Sequence, residues 1–384
     1  MGLVMPASAG SWTAAGSTQL GSNYDDNVQL TTINPIGGWF NSAAFSGQLL
    51  FQNDQLNFHV DPRLVVTRYQ SETNLNRTER YLGLSTQFNN ERGLTNLVLM
   101  GSEDTTLTSE LGLTDFSVVN KRHRGGSATL SVARSFTESM GLSAQAYASV
   151  NKYLDAEDTG LYDYNYGSLV VTGNYQATER SSFFVQTTAG KIVVPVQTKR
   201  LFGVVPFKDG GSSYDKVNLS AMLGYRLSIN PRWNATVYYG PSQFRTVSSV
   251  ANSYSYSFNL GHKYELSNLN ASYSREVGAS GYGSLSQRDQ INFSWSRPIS
   301  ERLVTDWIVS SVHSRNVLDN ANLETNALQY SDVTGSFGWL INQQWKLSLS
   351  AGYSRQKSKY SEVAADRHHA ALNVTWNGMA HRVN

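Results

Sequence analysis

The feature that most constrains this chain is a strict alternation of apolar and polar side chains. In residues 253–274, SYSYSFNLGHKYELSNLNASYS, Tyr254, Tyr256 and Phe258 alternate with serines, and the alternation resumes after a short break. A period of two residues is typical of a β-strand, whose successive side chains point to opposite faces. Because the pattern recurs along most of the chain, we predict an all-β protein.

Short and long connections between the predicted strands alternate. Short turns include Asn230-Pro231-Arg232 and Ser267-Asn268, and looser segments include 152–165, 197–213 and 246–252. About eight turns and nine loops separate about 18 strands of ~10 residues each. An even number of antiparallel strands with short turns at one end and longer loops at the other indicates a transmembrane antiparallel β-barrel, with both termini periplasmic.

The composition of the two strand faces favours a membrane barrel over soluble β-folds. Only 16% of residues are charged, although the chain has 21 Tyr, 15 Phe and 8 Trp. A soluble sandwich would carry Lys and Glu outside, whereas here the polar face carries mainly Ser, Asn, Gln, Thr and Gly. Contact with lipid explains the apolar face, and a water-filled lumen explains the polar face. A secreted β-solenoid or fibre is the alternative, but its repeat length would be fixed, whereas the strand spacing here is irregular.

We therefore expect the outer membrane of a Gram-negative bacterium, with membrane lipid and lipopolysaccharide as contacts. Residues 10–384 are predicted to form a single barrel. Residues 1–9 fit the tail of a secretory signal peptide, because Ala7-Ser8-Ala9 is an A-x-A cleavage pattern; a flexible terminus with chance alanines is the alternative. A net charge of +2 gives no nucleic-acid footprint, and the lack of Cys excludes disulfides and thiolate metal sites.

The sequence predicts no catalytic residues, metal site or cofactor. His368-His369 is the only adjacent pair among seven His, and neighbours on a strand point to opposite faces. No G-x-S-x-G occurs, and the glycines at 210–212 and 281–283 lack a following phosphate-binding helix. Asp25-Asp26-Asn27 lacks the spacing of a calcium-binding EF-hand loop.

Alternation also assigns side chains to the lumen and to the lipid. Predicted to line the lumen are His59, Asp61, Arg63, Tyr147, Arg226, Tyr238, Ser255, Ser257, Asn259, Glu276, Arg288, Asn292, Asp306, Lys346 and His369. Predicted to face lipid as an interfacial girdle are Trp233, Trp295, Trp345 and Trp376. The lumen charges have mixed signs, so they either pair across the wall or select ions. A wall of hydroxyls, amides and tyrosines suits neutral, hydrated cargo such as sugars.

The segment GSNYDDNVQL carries a family resemblance. Its Tyr24-Asp25-Asp26-Asn27-Val28 resembles the Y-[DT]-D-N-[IV] signature of the outer-membrane β-barrel porin family associated with exopolysaccharide-export and exosortase loci. The chain departs from that family in lacking a terminal Phe, so the assembly signal is expected around Trp376 or in an altered tail.

The resemblance implies a non-enzymatic conduit or scaffold for export of a secreted polysaccharide such as a biofilm exopolysaccharide. Its partners would be the polysaccharide cargo and a periplasmic export protein. Two alternatives stay open. A general or sugar-uptake diffusion porin would be favoured by a constriction with charges of one sign and by a loop folded into the lumen, for which 197–213 is the candidate. A sheath or scaffold for an envelope partner protein would require that partner inside the barrel.

Overall fold

A computed structural model of the chain describes residues 10–109, 120–155, 161–195, 215–246, 249–279, 285–316, 328–358 and 363–383. The long strands are Ser11–Asp25 (β1), Gly38–Gln52 (β2), Leu56–Tyr69 (β3), Arg77–Asn90 (β4), Gly93–Thr105 (β5), Arg122–Ser135 (β6), Met140–Leu154 (β7), Tyr164–Thr178 (β8), Ser181–Val193 (β9), Lys216–Asn230 (β10), Trp233–Arg245 (β11), Val250–Lys263 (β12), Asn268–Ala279 (β13), Leu285–Pro298 (β14), Leu303–Asn316 (β15), Leu328–Leu340 (β16), Trp345–Ser358 (β17) and Ala365–Asn377 (β18). A three-residue strand, His381–Val383 (β19), a short helix, Thr106–Ser109 (α1), and a 3-10 turn, Thr73–Leu75, complete the described elements.

The sheet closes on itself. Each long strand pairs antiparallel with its neighbour in sequence, and β1 pairs with β18 from Ser17↔Asn377 to Asp25↔His369. Strand β19 extends this seam by pairing with β1 at Trp12–Ala14. The predicted antiparallel barrel of about 18 strands is thus confirmed, with β19 as a short addition. Closure leaves the described sheet without an edge strand, as a sheet inside a bilayer requires, although β12 and β13 pair only between Tyr256–Lys263 and Asn268–Arg275.

The strand register sets the width of the barrel. Following cross-strand partners once around the barrel returns to β1 about 22 residues further along, which corresponds to a strand tilt of roughly 40°. With strands ~4.7 Å apart, the backbone radius is about 17 Å. Side chains from the wall alone cannot fill an interior of that size, so the barrel has room for an aqueous lumen.

The outer face carries an apolar band with tryptophans at one edge. Outward side chains such as Leu20, Phe45, Leu99 and Leu223 are exposed in the isolated protein. At the short-turn end of this face lie Trp12, Trp233, Trp295, Trp307, Trp339, Trp345 and Trp376. Such an edge matches the aromatic girdles of outer-membrane barrels. Within the described residues, no helix has the length and hydropathy to span a bilayer.

The two ends of the barrel differ as the sequence predicts, with one correction. The first and last described residues lie at the short-turn end of the barrel. That this end faces the periplasm stays a prediction. The β11–β12 connection was predicted to span 246–252, which is wrong, because Arg245 pairs with Val250 and the loop shrinks to residues 246–249. Residues 1–9 and the whole of the predicted loop 197–213 lie outside the described residues.

The buried apolar side chains gather at the long-loop end. One cluster joins Val28, Tyr69, Leu75 and Leu107, which come from three successive loops and strand ends. A second cluster runs along the rim from β7 to β14 and consists of Tyr153, Leu161, Tyr164, Ile192, Val194, Phe244 and Leu285. The hydrophobic core of this molecule therefore stabilises the long-loop mouth, while the wall below it depends on backbone pairing.

Candidate functional site in the barrel lumen

The strand register places all fifteen side chains predicted for the lumen on the inner face. Directly paired residues of neighbouring strands share a face, so a chain of partners such as Thr236↔Asn259 and Asn259↔Ser272 defines one continuous inner row. The four predicted girdle tryptophans, Trp233, Trp295, Trp345 and Trp376, lie on the opposite, outer face. The inner row also holds Asp332 and Arg367, which were not predicted as lumen residues.

A strip of aromatic and charged side chains crosses the inner wall from β9 to β14. The Arg226 guanidinium lies 5.9 Å from the Phe184 ring centroid, and Phe184 meets Tyr238 edge-on at 6.2 Å. The Tyr238 hydroxyl donates a hydrogen bond to Glu276 Oε1 (3.3 Å), and Glu276 is the direct cross-strand partner of Arg288. Phe184 is buried beneath these neighbours, so the strip offers the half-buried Tyr238 ring beside groups that can bind hydroxyls, with positive and negative charges adjacent.

A second group of predicted residues lies on β3, β4, β7 and β8. His59, Asp61 and Arg63 project from β3, and Arg63 lies 6.0 Å from the Tyr81 ring on β4. Tyr147 and Tyr166 lie side by side on β7 and β8 with ring centroids 6.0 Å apart. The remaining predicted residues are distributed singly among serines, threonines and amides. The structure therefore does not bring the lumen charges together as a ring of one sign.

A buried Asp–His pair lies at the long-loop end of the wall. His123 Nδ1 is 2.9 Å from Asp104 Oδ1, and His123 Nε2 is 3.2 Å from Asn151 Oδ1; the Asp104 and His123 side chains are each 6% exposed. Both imidazole nitrogens therefore face side-chain oxygen atoms of neighbouring strands. Sequence alternation could place His123 on the inner face, but it could not pair β5 with β6 in this register.

No metal-ligating cluster accompanies this pair. Across the described residues, no group of three or more His, Asp or Glu is placed to hold a metal ion. His368 and His369 point to opposite faces of β18: His368 contacts Asp26, while His369 Nε2 lies 3.4 Å from Thr334 Oγ1 on the inner wall. The glycine-rich segments at 210–212 and 281–283 lie outside the described residues.

The Tyr24-Asp25-Asp26-Asn27 segment fastens the seam of the barrel. Asp25 Oδ2 accepts hydrogen bonds from Arg367 Nε (2.8 Å) and Nη2 (2.5 Å), and its Oδ1 accepts the backbone N–H of Asn27 (3.1 Å). Asp26 Oδ1 accepts the backbone N–H of His368 (2.7 Å), and Asp26 Oδ2 lies 2.9 Å from His368 Nδ1.

Asn27 extends these contacts to the first loop. Its amide nitrogen donates to the carbonyl oxygens of Asp366 and Thr31, each at 2.9 Å, while its amide oxygen accepts the backbone N–H of Thr31 (3.0 Å). We call Asp25, Asp26, Asn27, Arg367 and His368 the seam clasp. Its polar groups are largely occupied by protein partners, so the motif is explained by closure of the barrel.

Comparisons with known proteins bear on the fold. No protein-family model matches the chain, and no curated protein matches it. The FrpB iron transporter of Neisseria meningitidis (F5-1 variant, apoprotein form) superimposes with a TM-score of 0.51 at 9% identity, covering 94% of this chain and 68% of that chain. The F3-3 variant gives a TM-score of 0.49 at 8% identity over 90% of this chain, which spans only 62% of the FrpB chain.

Outer membrane protein OpdK of Pseudomonas aeruginosa gives a TM-score of 0.47 at 10% identity and covers 96% of this chain and 99% of its own. At a sequence identity of 9%, a superposition shows a shared fold and nothing more. The F5-1 variant, with its TM-score of 0.51, supports that shared fold. Closure over 18 strands, the apolar outer band and the tryptophan girdle agree with it. The chain is an outer-membrane β-barrel that shares its fold with the FrpB iron transporter.

Proposed function

We propose that the protein is a passive, non-enzymatic conduit for neutral, hydrated carbohydrate across the outer membrane. The observation that carries the proposal is the inner wall, in which hydroxyl and amide side chains surround the aromatic rings of Tyr147, Tyr166 and Tyr238. Sugars present hydroxyls at their edges and C–H groups on their faces, so such a wall can exchange water for cargo without binding it tightly.

The arrangement of charges supports neutral rather than ionic cargo. Arg226, Glu276 and Arg288 alternate in sign along one strip, and Glu276 is bonded to Tyr238 and paired with Arg288 by register. An ion- or phosphate-selective pore needs a ring of one sign. Mixed, locally balanced charges leave a smaller barrier for an uncharged solute.

Reconstitution tests this function directly. Proteoliposomes containing the protein are expected to swell in isotonic neutral mono- and oligosaccharides, with rates that fall with sugar size. Gluconate and arginine of similar size are expected to enter at comparable rates to one another. A matched pair of variants, Tyr238→Ala on the inner wall and Tyr239→Ala on the outer face, separates lumen effects from fold effects. Absence of sugar entry, or a strong preference for one sign of charge, would overturn the proposal.

Export of a secreted polysaccharide is the direction of transport that the Tyr24–Val28 resemblance favours, with a periplasmic export protein as partner. A strain lacking the gene is expected to lose surface polysaccharide while taking up small solutes normally. Unchanged polysaccharide together with impaired sugar uptake would instead support an uptake porin. If both are unchanged, the conduit proposal fails in the cell.

A further inference from the structure

Basic side chains lie in one row on the outer face, just above the apolar band at the long-loop end. Arg80 on β4 pairs by register with Glu103 on β5, Glu103 with Arg124 on β6, and Arg124 with Lys152 on β7. The four residues are therefore direct neighbours on consecutive strands, with outward side chains. We call these three basic residues and the glutamate between two of them the outer basic row.

The described residues balance the charges of this row only in part. Arg124 Nε forms an exposed ion pair with Glu103 Oε2 at 3.3 Å. Among the described residues, neither Arg80 nor Lys152 forms an ion pair with a carboxylate. Two further carboxylates lie nearby: Asp155 pairs with Arg122 (3.0 Å), and Asp163 accepts the backbone N–H of Tyr153.

Register makes this imbalance costly. Residues directly opposite in an antiparallel pair have Cβ atoms about 5 Å apart, and like charges in such positions destabilise the sheet. Arg124 and Lys152 occupy such positions on the face that meets lipid, where water is scarce. Outward Lys191, Arg275 and Arg355 lie near the same end, and each forms an ion pair with a carboxylate. An external anion between Arg124 and Lys152 would remove the repulsion.

The next outward row toward the membrane centre forms a shallow dip. It consists of Leu82, Gly101, Gly126 and Val150, which are again direct cross-strand partners. A Cβ on Gly101 would meet nothing within 4 Å, and one on Gly126 only a carbonyl oxygen at 4.0 Å. Glycine weakens a strand and often marks a bulge, a bend, or a place where a ligand or another backbone approaches closely. No packing inside the protein requires these two glycines.

We propose that the outer basic row and the glycine dip bind one phosphorylated glycolipid of the lipid A class. Its phosphate lies between Arg124 and Lys152, and an acyl chain lies over Gly101 and Gly126 between Leu82 and Val150. The order of the two features along the barrel, charge above and apolar dip below, matches a headgroup above its chains. Because the long-loop end is predicted to face outward, the lipid comes from the outer leaflet.

The first test measures lipid binding to the full chain purified in detergent, by native mass spectrometry and by thermal unfolding with bisphosphorylated lipid A. The double variant R124Q/K152Q is expected to bind about 10–30-fold more weakly, since each basic group near an anionic surface contributes ~1 kcal/mol. The control R245Q/K357Q removes two outward basic groups at the same end that are not cross-strand neighbours. Equal loss in both double variants would overturn the proposal.

The second test separates a lipid from a free phosphate. Gly126→Val fills the dip and is expected to weaken lipid A binding, whereas Gly173→Val, also outward and with open space at its Cβ, is expected to have no effect. Inorganic phosphate alone is expected not to raise the unfolding temperature. A shift with phosphate equal to that with lipid A, or equal binding of phosphatidylglycerol, would refute the assignment to lipid A.

Discussion

Removing the carboxylate of Asp25 is expected to loosen the barrel at its seam. The Asp25 side chain is 3% exposed and bonds both Nε and Nη2 of Arg367, which is itself 21% exposed. In Asp25→Asn, a partly buried guanidinium loses its counter-charge in a wall of low dielectric. Breaking a buried pair typically costs 3–5 kcal/mol, and the partial exposure of Arg367 reduces this to about 2–4 kcal/mol.

The assay is guanidinium unfolding of the folded protein in vesicles, combined with hydrogen exchange of β1 and β18. Exchange is expected to rise in the upper seam, from Gly21↔Asn373 to Asp25↔His369, and to stay low near β19, where additional pairing holds β1. Arg355→Gln is the matched control, because its pair with Asp366 is exposed and worth at most ~1 kcal/mol. The reasoning would be refuted if Asp25→Asn and Arg355→Gln lowered the free energy of unfolding equally, or if hydrogen exchange rose evenly along the whole seam.

Three further outcomes are expected. Neutralising Glu276 in Glu276→Gln removes one negative charge from the inner wall, so the reversal potential in a salt gradient should move toward anion selectivity by about a twofold permeability ratio. An unchanged reversal potential would mean that Glu276 does not face the path of the ions. His123→Leu removes the imidazole that contacts the buried Asp104 carboxylate and should destabilise the folded barrel by about 3 kcal/mol in guanidinium unfolding. A loss below ~1 kcal/mol would contradict this expectation. Tryptophan fluorescence in vesicles should be quenched more by lipids brominated near the headgroup than by lipids brominated at the chain ends, because most tryptophans lie at the edge of the apolar band. Stronger quenching from the chain ends would contradict a tryptophan girdle at the membrane interface.

The lumen residues illustrate how far alternation alone can reach. Side chains two apart on a strand share a face whatever the partner strand, so His59, Asp61 and Arg63 could be assigned together from the sequence. The loop at 246–252 was predicted too long, because a turn-forming residue such as Asn252 also occurs inside a paired strand. Local composition cannot distinguish those two environments.

The role of Tyr24-Asp25-Asp26-Asn27 shows the opposite case. The sequence offers a family resemblance for it, but its partners Arg367 and His368 are 342 residues away along the chain. Only closure of the sheet brings the first and last long strands together. The pair Asp104–His123 and the outer basic row depend in the same way on which strands are neighbours and in which register.

The sequence by itself therefore determined the strand count, the two faces and the membrane environment, because these follow from a period of two and from side-chain hydropathy, which are local properties. Only the tertiary structure decided which side chains contact each other across strands. Examples are the seam clasp, the lumen strip from Phe184 to Arg288, and the outer basic row from Arg80 to Lys152. The physical reason is that a register shift of two residues preserves every face but changes every neighbour.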